Sequence, residues 1–450
     1  MNEKLDFKSS LLIGSLLFGL FFGAGNLIFP VHMGQLAGMN TLPATIGFLI
    51  TGVGLPVLGV IGSALSRSES LYDMAKPINK SYSILFTCAL YLTIGPLFAI
   101  PRTATVAFEV GLADFIGDEF LQIGLFIFSL IFFIMTLYFS LRPGRILDWV
   151  GKYLTPTFLV LLSILIIATF INPMGEVGQF APQEKYAARP LFTGLIEGYH
   201  TMDALASLAF AIVIIANIEK LGVHDPKRKA IETLKSGIVC LIGMGVIYAS
   251  LAYMGATSLG SVGIGANGGV ILSMVGAHYF GFAGQILLAI IVFVACLKTA
   301  IGLITSCSQI FREMFPHSIS YNKYAVVFTL LSFIIANFGL NTIIQLSLPV
   351  LMFLYPLAIT LIILSLLSPF IHQQKDVYRW TTGLTIIAAL FDFINALPNS
   401  IKENVIIAKI INFAGLYLPG FDYGFGWIVP AMIGFIIGLF FWKVREKYLN

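Results

Sequence analysis

Long apolar runs, separated by short clusters of charge, recur along the whole chain. A hydrocarbon core of about 30 Å takes roughly 20 apolar residues of helix. By that ruler the chain predicts about twelve helical spans. They fall near 9–37, 41–65, 81–110, 119–141, 146–170 and 191–218, then 231–255, 280–310, 324–338, 341–368, 381–398 and 423–442. The first run, from Leu11 to Pro30, is interrupted by Gly23, Ala24, Gly25 and Asn26. An unpaired backbone group at membrane depth is costly, so a break there is tolerated only where the freed groups line a cavity or meet other protein groups. Broken helices near the midplane carry the substrate and ion sites of many secondary transporters, and the tetrapeptide points to that class.

The sixth run repeats the irregularity. Pro190 opens it, Glu197 to Asp203 form a polar cluster inside it, and apolar sequence resumes at Ala204. Spans one and six hold corresponding places in two five-helix halves, and an odd number of spans per half makes any repeat inverted. Paired interruptions at such positions are the best sequence pointer to a transporter site. The fold class that follows is all-α integral membrane, a 5+5 inverted repeat with broken helices 1 and 6 and two appended helices. Residues 1–170 form the first repeat, 191–368 the second and 381–442 the additional pair, all within one polytopic domain. Gly434 and Gly438, four apart in the last span, suit close helix packing.

Composition agrees. The chain is 58% hydrophobic and 11% charged, with a mean hydropathy of +0.92, too little polar cover for a soluble protein of 450 residues. The net charge of +4 lies in short loops, so it does not indicate nucleic acid as a partner. Twenty of the 26 lysines and arginines fall in alternate loops, beginning with Lys4 and Lys8 and ending with Lys443, Arg445 and Lys447. The opposite loops hold Lys185, Arg189, Lys402 and Lys409. By the positive-inside rule both termini are cytoplasmic. The N-terminal segment, without a small-residue cleavage site, reads as a retained first helix. Cys88, Cys240, Cys296 and Cys307 sit in apolar stretches without a close pair and read as free thiols. The partners expected are a small-molecule substrate and the lipid bilayer, with no obligate protein partner and no cofactor beyond a coupling cation.

At Gly23 to Asn26 two readings stand. Gly19 and Gly23 fit a small-residue packing pattern, but packing does not account for a buried Asn amide beside two glycines. The half-helix after Gly25 would present free N–H groups suited to a carboxylate, and the carbonyls from Gly19 to Phe22 would suit a cation. Asp203 is an ionisable group within a span, a functional hypothesis by default; it is also placed to cap the second half of span six. Tyr199 and Thr201 offer hydroxyls, and His200 reads as a packed or hydrogen-bonded histidine. No second His or Cys at ligand spacing supports zinc. Span three carries Pro96 and Pro101, which predict kinks. It also carries Arg102 and Glu109 on one face, read as a structural pair, as partners of other spans, or as a gate charge on the outer side of the cavity.

Lys298, mid-span in ACLKTA, must find carbonyls, a carboxylate or water. Its expected place is a cation site between spans one and eight. Gly263, Gly265 and Gly268 spell GxGxxG, but no strand precedes them, and they read as a flexible external loop. The segment from Gly269 to Phe280 is expected to form a helix over the cavity. The 401–416 stretch is expected to form a second one on the membrane surface. An intramembrane enzyme is disfavoured, since Asp203 has no catalytic partner in the sequence and neither a Gly-x-Ser-x-Gly nor a His-Glu motif appears.

Four stretches carry a resemblance: FGLFFGAGNLIFPVHMGQLAG (18–38), GPLFAIPRTATVAFEVG (95–111), EGYHTMDALASLAF (197–210) and ACLKTAIGLITSC (295–307). With them the chain resembles the bacterial branched-chain amino acid:cation symporter family, over its whole length. The resemblance implies the leucine-transporter type of fold and uptake of leucine, isoleucine and valine across the cell membrane, driven by sodium or protons. Read from the residues themselves, the expected substrate contacts are Gly23, Ala24, Gly25, Asn26, Phe98, Tyr199, His200, Thr201 and Asp203. Cation coupling would involve Gly19, Phe22, Asn26, Lys298 and Thr299, with sodium at Asn26 and Thr201. Ala295, Leu297, Lys298 and Thr299 resemble a stretch that supplies a second sodium site. Many family members carry a hydroxyl residue where this chain has Lys298. That charge would replace the ion or carry the proton itself. The rival within transport is a carrier for another small zwitterion or a nucleobase.

Overall fold

The structure, a computed structural model, describes residues 4–68 and 70–449. The side chains of Ala24 and Lys447, expected at the site and in the charge pattern, lie outside the described residues. α1 (Phe7–Phe21) starts at Asp6, whose carboxylate accepts the Ser9 N–H and so satisfies a free donor of the first turn. Burial of a carboxylate would raise its pKa, but Asp6 is exposed, and the Ser9 bonds hold it below the usual range. α2 (Ala24–Ala37) follows after an extended Gly23. α3 (Thr41–Leu49) and α4 (Leu55–Leu65) are joined by a widened π-turn containing Gly52 and Gly54. α5 (Leu71–Ala75) is short, and α6 (Lys80–Leu92) and α7 (Ala99–Gly111) make up the third predicted span.

That span is interrupted at Gly95, before Pro96, but Pro101 does not kink it as the sequence reading expected. Pro101 lies in the first turn of α7, where an N–H would have no intrahelical partner anyway. α8 (Leu121–Ser140), α9 (Thr155–Ile171) and a short α10 (Glu184–Ala188) lead to α11 (Pro190–His200) and α12 (Asp203–Lys220). These last two meet at 41° across Thr201 and Met202. α13 (Pro226–Val262) and α14 (Gly268–Met314) follow, and α14 turns at Gly281, φ 56°. The chain closes with α15 (Tyr321–Ala336), α16 (Leu340–Leu366), α17 (Ser368–Ile371), α18 (Lys375–Asn395), α19 (Asn399–Lys402), α20 (Val405–Tyr417) and α21 (Ile428–Leu449).

Among the described residues nine helical stretches are apolar and long enough to cross a bilayer, ten when α11 and α12 count as one span. α8 shows how the outer surface is made: Ile123, Phe126, Ile127, Leu130, Ile131 and Ile134 are all exposed. Such a band suits hydrocarbon and not water. The inner helices approach through glycines. A Cβ at Gly34 of α2 would lie 1.9 Å from the Ala252 carbonyl of α13, and one at Gly255 would lie 1.9 Å from the Val31 carbonyl. α3 and α11 cross in the same way at Gly47 and Gly194. Gly434 and Gly438 bring α21 onto the backbone of α18, as their spacing predicts.

Gly263 and Gly265 lie in the loop between α13 and α14, as the sequence leads one to expect, and Gln35 ties that loop to α2. It donates to the Gly263 carbonyl (2.8 Å) and accepts from the Gly265 N–H (2.9 Å).

Candidate substrate and ion site

The end of α1 leaves backbone carbonyls without intrahelical partners and carries a partial negative charge. α14 answers both needs with two consecutive side chains. The Lys298 ammonium donates to the carbonyls of Phe22 (2.7 Å) and Gly19 (3.2 Å), and the Thr299 hydroxyl donates to Leu20 (3.4 Å). Close approach is possible because Gly302 faces Leu20 and Gly23 faces Thr299. Lys298 is fully buried and lies over the rings of Phe158 (4.5 Å), Phe18 and Phe22 (both 5.5 Å). Each ring adds about 0.5–2 kcal/mol of cation–π attraction. Among the described residues no carboxylate pairs with it.

Across the break, Asn26 folds back on its own helix end. Its Oδ1 accepts the Gly23 N–H (2.9 Å), and its Nδ2 donates to Asp203 Oδ2 (2.5 Å) and to the Tyr248 hydroxyl. Tyr248, from α13, donates to the same Asp203 oxygen (2.9 Å). Asp203 is 2% exposed. Its capping role is corrected: Asp203 is the first residue of α12, and the Thr201 hydroxyl accepts its N–H (3.3 Å). The left-handed Met202, φ 65°, makes the turn that leaves the carboxylate facing α2 rather than its own helix.

The carbonyls of the sixth predicted span are already engaged. Tyr355, from α16, donates to the Tyr199 carbonyl (2.5 Å). Arg102 donates to His200 (3.1 Å) and Thr201 (3.5 Å), so its structural partner is α11 and not Glu109. Between the two breaks lies a cavity of about 30 Å³, room for a water or two and too little for a leucine. Gly23, Gly25, Asn26, Arg102, Thr201, Asp203 and Thr299 give it polar walls; Leu20, Phe21, Ile94, Phe210 and Leu303 give it apolar ones.

The structure thus gathers most of the expected residues but not all. Phe98 is half-buried and does not line the cavity. The Tyr199 ring stacks on Tyr355, centroids 4.3 Å apart. His200 pairs with Glu197 (3.4 Å) and lines a separate, larger cavity of about 630 Å³ near Arg189 and Asp392. The oxygen of Asn26 and the hydroxyl of Thr201, expected as sodium ligands, both have protein partners, Thr201 donating to the Gly198 carbonyl (2.9 Å). Tyr248 and Tyr355 were missed, because nothing local distinguishes them among 17 tyrosines.

Two broken helices facing each other across one cavity, in a membrane protein whose described residues are helical, are the arrangement of a broken-helix transporter. A solved nucleobase-cation-symport-1 family transporter, in a closed conformation with bromovinylhydantoin bound, shares this fold. Its TM-score is 0.61 at 15% identity, over 97% of this chain and 93% of the other. A sequence profile described as branched-chain amino acid transport protein matches residues 6–445, and the chain belongs to that family of bacterial multi-pass membrane proteins. It is 49% identical to the branched-chain amino acid permease BrnQ of Lactobacillus delbrueckii subsp. lactis, over 97% of each chain. It is 40% identical to BrnQ of Bacillus subtilis strain 168, over 99% of this chain and 100% of that one. It is also 40% identical to the branched-chain amino acid transport system 2 carrier protein of Pseudomonas aeruginosa, over 95% of each.

Proposed function

We propose that this chain imports leucine, isoleucine and valine across the bacterial cytoplasmic membrane, driven by a gradient of sodium or protons. The observation that carries the reading is the cavity between the two breaks. There a buried carboxylate and the free N–H groups of a helix start share one space with an apolar wall. A zwitterion with an aliphatic side chain matches all three. The α2 N-terminus favours the substrate carboxylate. The ammonium goes to Asp203, because Tyr355 and Arg102 already hold the carbonyls of the sixth span. An apolar pocket separates side chains one methylene apart by only about 1–3 kcal/mol, so broad acceptance of the three is expected. The names of the full-length relatives support the same substrates.

The finer architecture belongs to the same proposal: twelve spans, two inverted five-helix repeats, two added helices and both termini in the cytoplasm. The matching breaks in spans one and six and the alternate loading of basic loops support it.

Uptake of labelled isoleucine into proteoliposomes, with sodium and proton gradients imposed separately, tests the function. Accumulation under one of the two is expected, and no accumulation under either overturns it. A carrier for nucleobases or other zwitterions would instead show competition by those compounds and none by leucine or valine.

A further inference from the structure

We infer that Arg102 is the residue that binds the carboxylate of the substrate, an assignment that rests on the amino-acid reading above. Arg102 is 5% exposed and lines the cavity between the breaks, as does Asp203. Burying a charge is expensive, and a buried charge is ordinarily paired. Arg102 is not: among the described residues no carboxylate lies within ion-pairing distance of it.

Its hydrogen bonds use two of five N–H donors, one of them long, to the carbonyls of His200 (3.1 Å) and Thr201 (3.5 Å). The ring of Phe29 covers the guanidinium at 5.6 Å, a contact that adds attraction without using a donor. Nη2 also lies 3.1 Å from the place where a Cβ on Gly25 would stand, so the fork reaches the first turn of α2. A carboxylate in that position meets the guanidinium and the helix N-terminus together. Arginine suits this task because its planar donors match both oxygens of a carboxylate.

Asp203 makes the complementary half. Its partners are Asn26 and Tyr248, neutral donors both, so the cavity holds one unpaired cation and one unpaired anion that do not touch each other. An α-amino acid carries the two opposite charges on one carbon and neutralises both at once. Helix capping alone accounts for the two carbonyl bonds of Arg102, but not for a buried charge with spare donors beside a cavity and, among the described residues, no counter-ion.

The decisive comparison is leucine against leucinamide, which keeps the ammonium and side chain and loses the carboxylate. Purified protein is melted with each compound, and the midpoint shifts give relative affinities. Wild type is expected to prefer leucine. In Arg102→Gln that preference should fall by about a hundredfold, the usual scale for a buried charge-assisted pair, while leucinamide affinity is unchanged. Arg102→Gln protein that keeps the wild-type preference overturns the inference, since a purely structural arginine lowers the melting temperature without altering the ratio. Should the glutamine variant fail to fold, Arg102→Lys carries the test: weaker leucine binding with unchanged leucinamide is expected, and unchanged leucine binding refutes it. Wild type that responds to neither compound, and takes up no isoleucine, overturns the amino-acid reading instead.

Discussion

Replacing Lys298 by alanine removes a cation from a site built of backbone oxygens. The carbonyls of Gly19 and Phe22 then lose their donor in a buried place, at about 1–3 kcal/mol each. The three phenylalanine rings lose their cation as well. Against this, removing a buried ammonium returns its desolvation penalty, of several kcal/mol. The two terms nearly offset, so the melting temperature in sodium-free buffer is a poor discriminator. What changes unambiguously is the chemistry of the vacated site: two carbonyls, a third at Leu20 and the Thr299 hydroxyl are hard oxygen donors, of the kind small cations prefer.

The prediction is therefore differential. Lys298→Ala should be stabilised by sodium chloride relative to choline chloride, by about 2.7 kcal/mol at a hundredfold excess over Kd. That amounts to a few degrees in Tm. Lys298→Met, which refills the volume with an uncharged chain, should gain less. Melting curves of the purified variants in the two salts are the assay, with wild type setting the baseline for sodium acting elsewhere. A Lys298→Ala variant no more sensitive to sodium than wild type would refute the claim that the ammonium occupies a cation site.

Asp203→Asn keeps acceptors for Asn26 and Tyr248 but removes the charge; isoleucine uptake is expected to drop by about a hundredfold or more, on the scale of a truncated buried charge pair, with the protein still folded by size exclusion. Gly255→Val places side-chain atoms against the Val31 carbonyl, and should abolish the monodisperse peak that Gly117→Ala, with open space around it, retains. Gly438→Leu should loosen α21 from α18 and lower Tm while leaving the uptake KM unchanged, since neither helix lines the inner cavity. In competition assays valine, leucine and isoleucine should lie within roughly two hundredfold of one another and alanine should be weaker than all three, as the cost of about 1–3 kcal/mol per methylene requires.

Much of this was legible in the sequence because a bilayer simplifies the problem. Backbone groups at depth must be paired, so a glycine pair with an asparagine in an apolar run marks a break, and the structure breaks there. A lone lysine in such a run must find carbonyls, and the nearest unsatisfied ones belong to the end of α1. What remained hidden were partners set by three-dimensional crossing. Tyr248 reaches Asp203 only because Gly34 and Gly255 let α13 lie against α2. Arg102 reads as a mate for Glu109 or for another span, and only the packing singles out α11. Asp203 looks like a cap because the left-handed turn at Met202 is not encoded by a glycine.

The same contacts constrain how such a site must open. α1 is held by side chains of α14, and α11 by side chains of α7 and α16. α2, α12 and α13 meet through the Asn26, Asp203 and Tyr248 cluster. α7 packs along α14, so motion of that pair relative to α11 strains the bonds from Arg102 first. Hydrogen bonds to a charged group contribute about 1.5–3 kcal/mol each, and breaking them with nothing in exchange would leave a buried guanidinium bare. A bound carboxylate supplies the exchange. It takes up the donors that the carbonyls leave unused and keeps the guanidinium paired if those bonds break, so bound substrate lowers the cost of moving α7 away from α11. A ligand shifts such an equilibrium by its difference in affinity for the two states, and the arginine provides that difference.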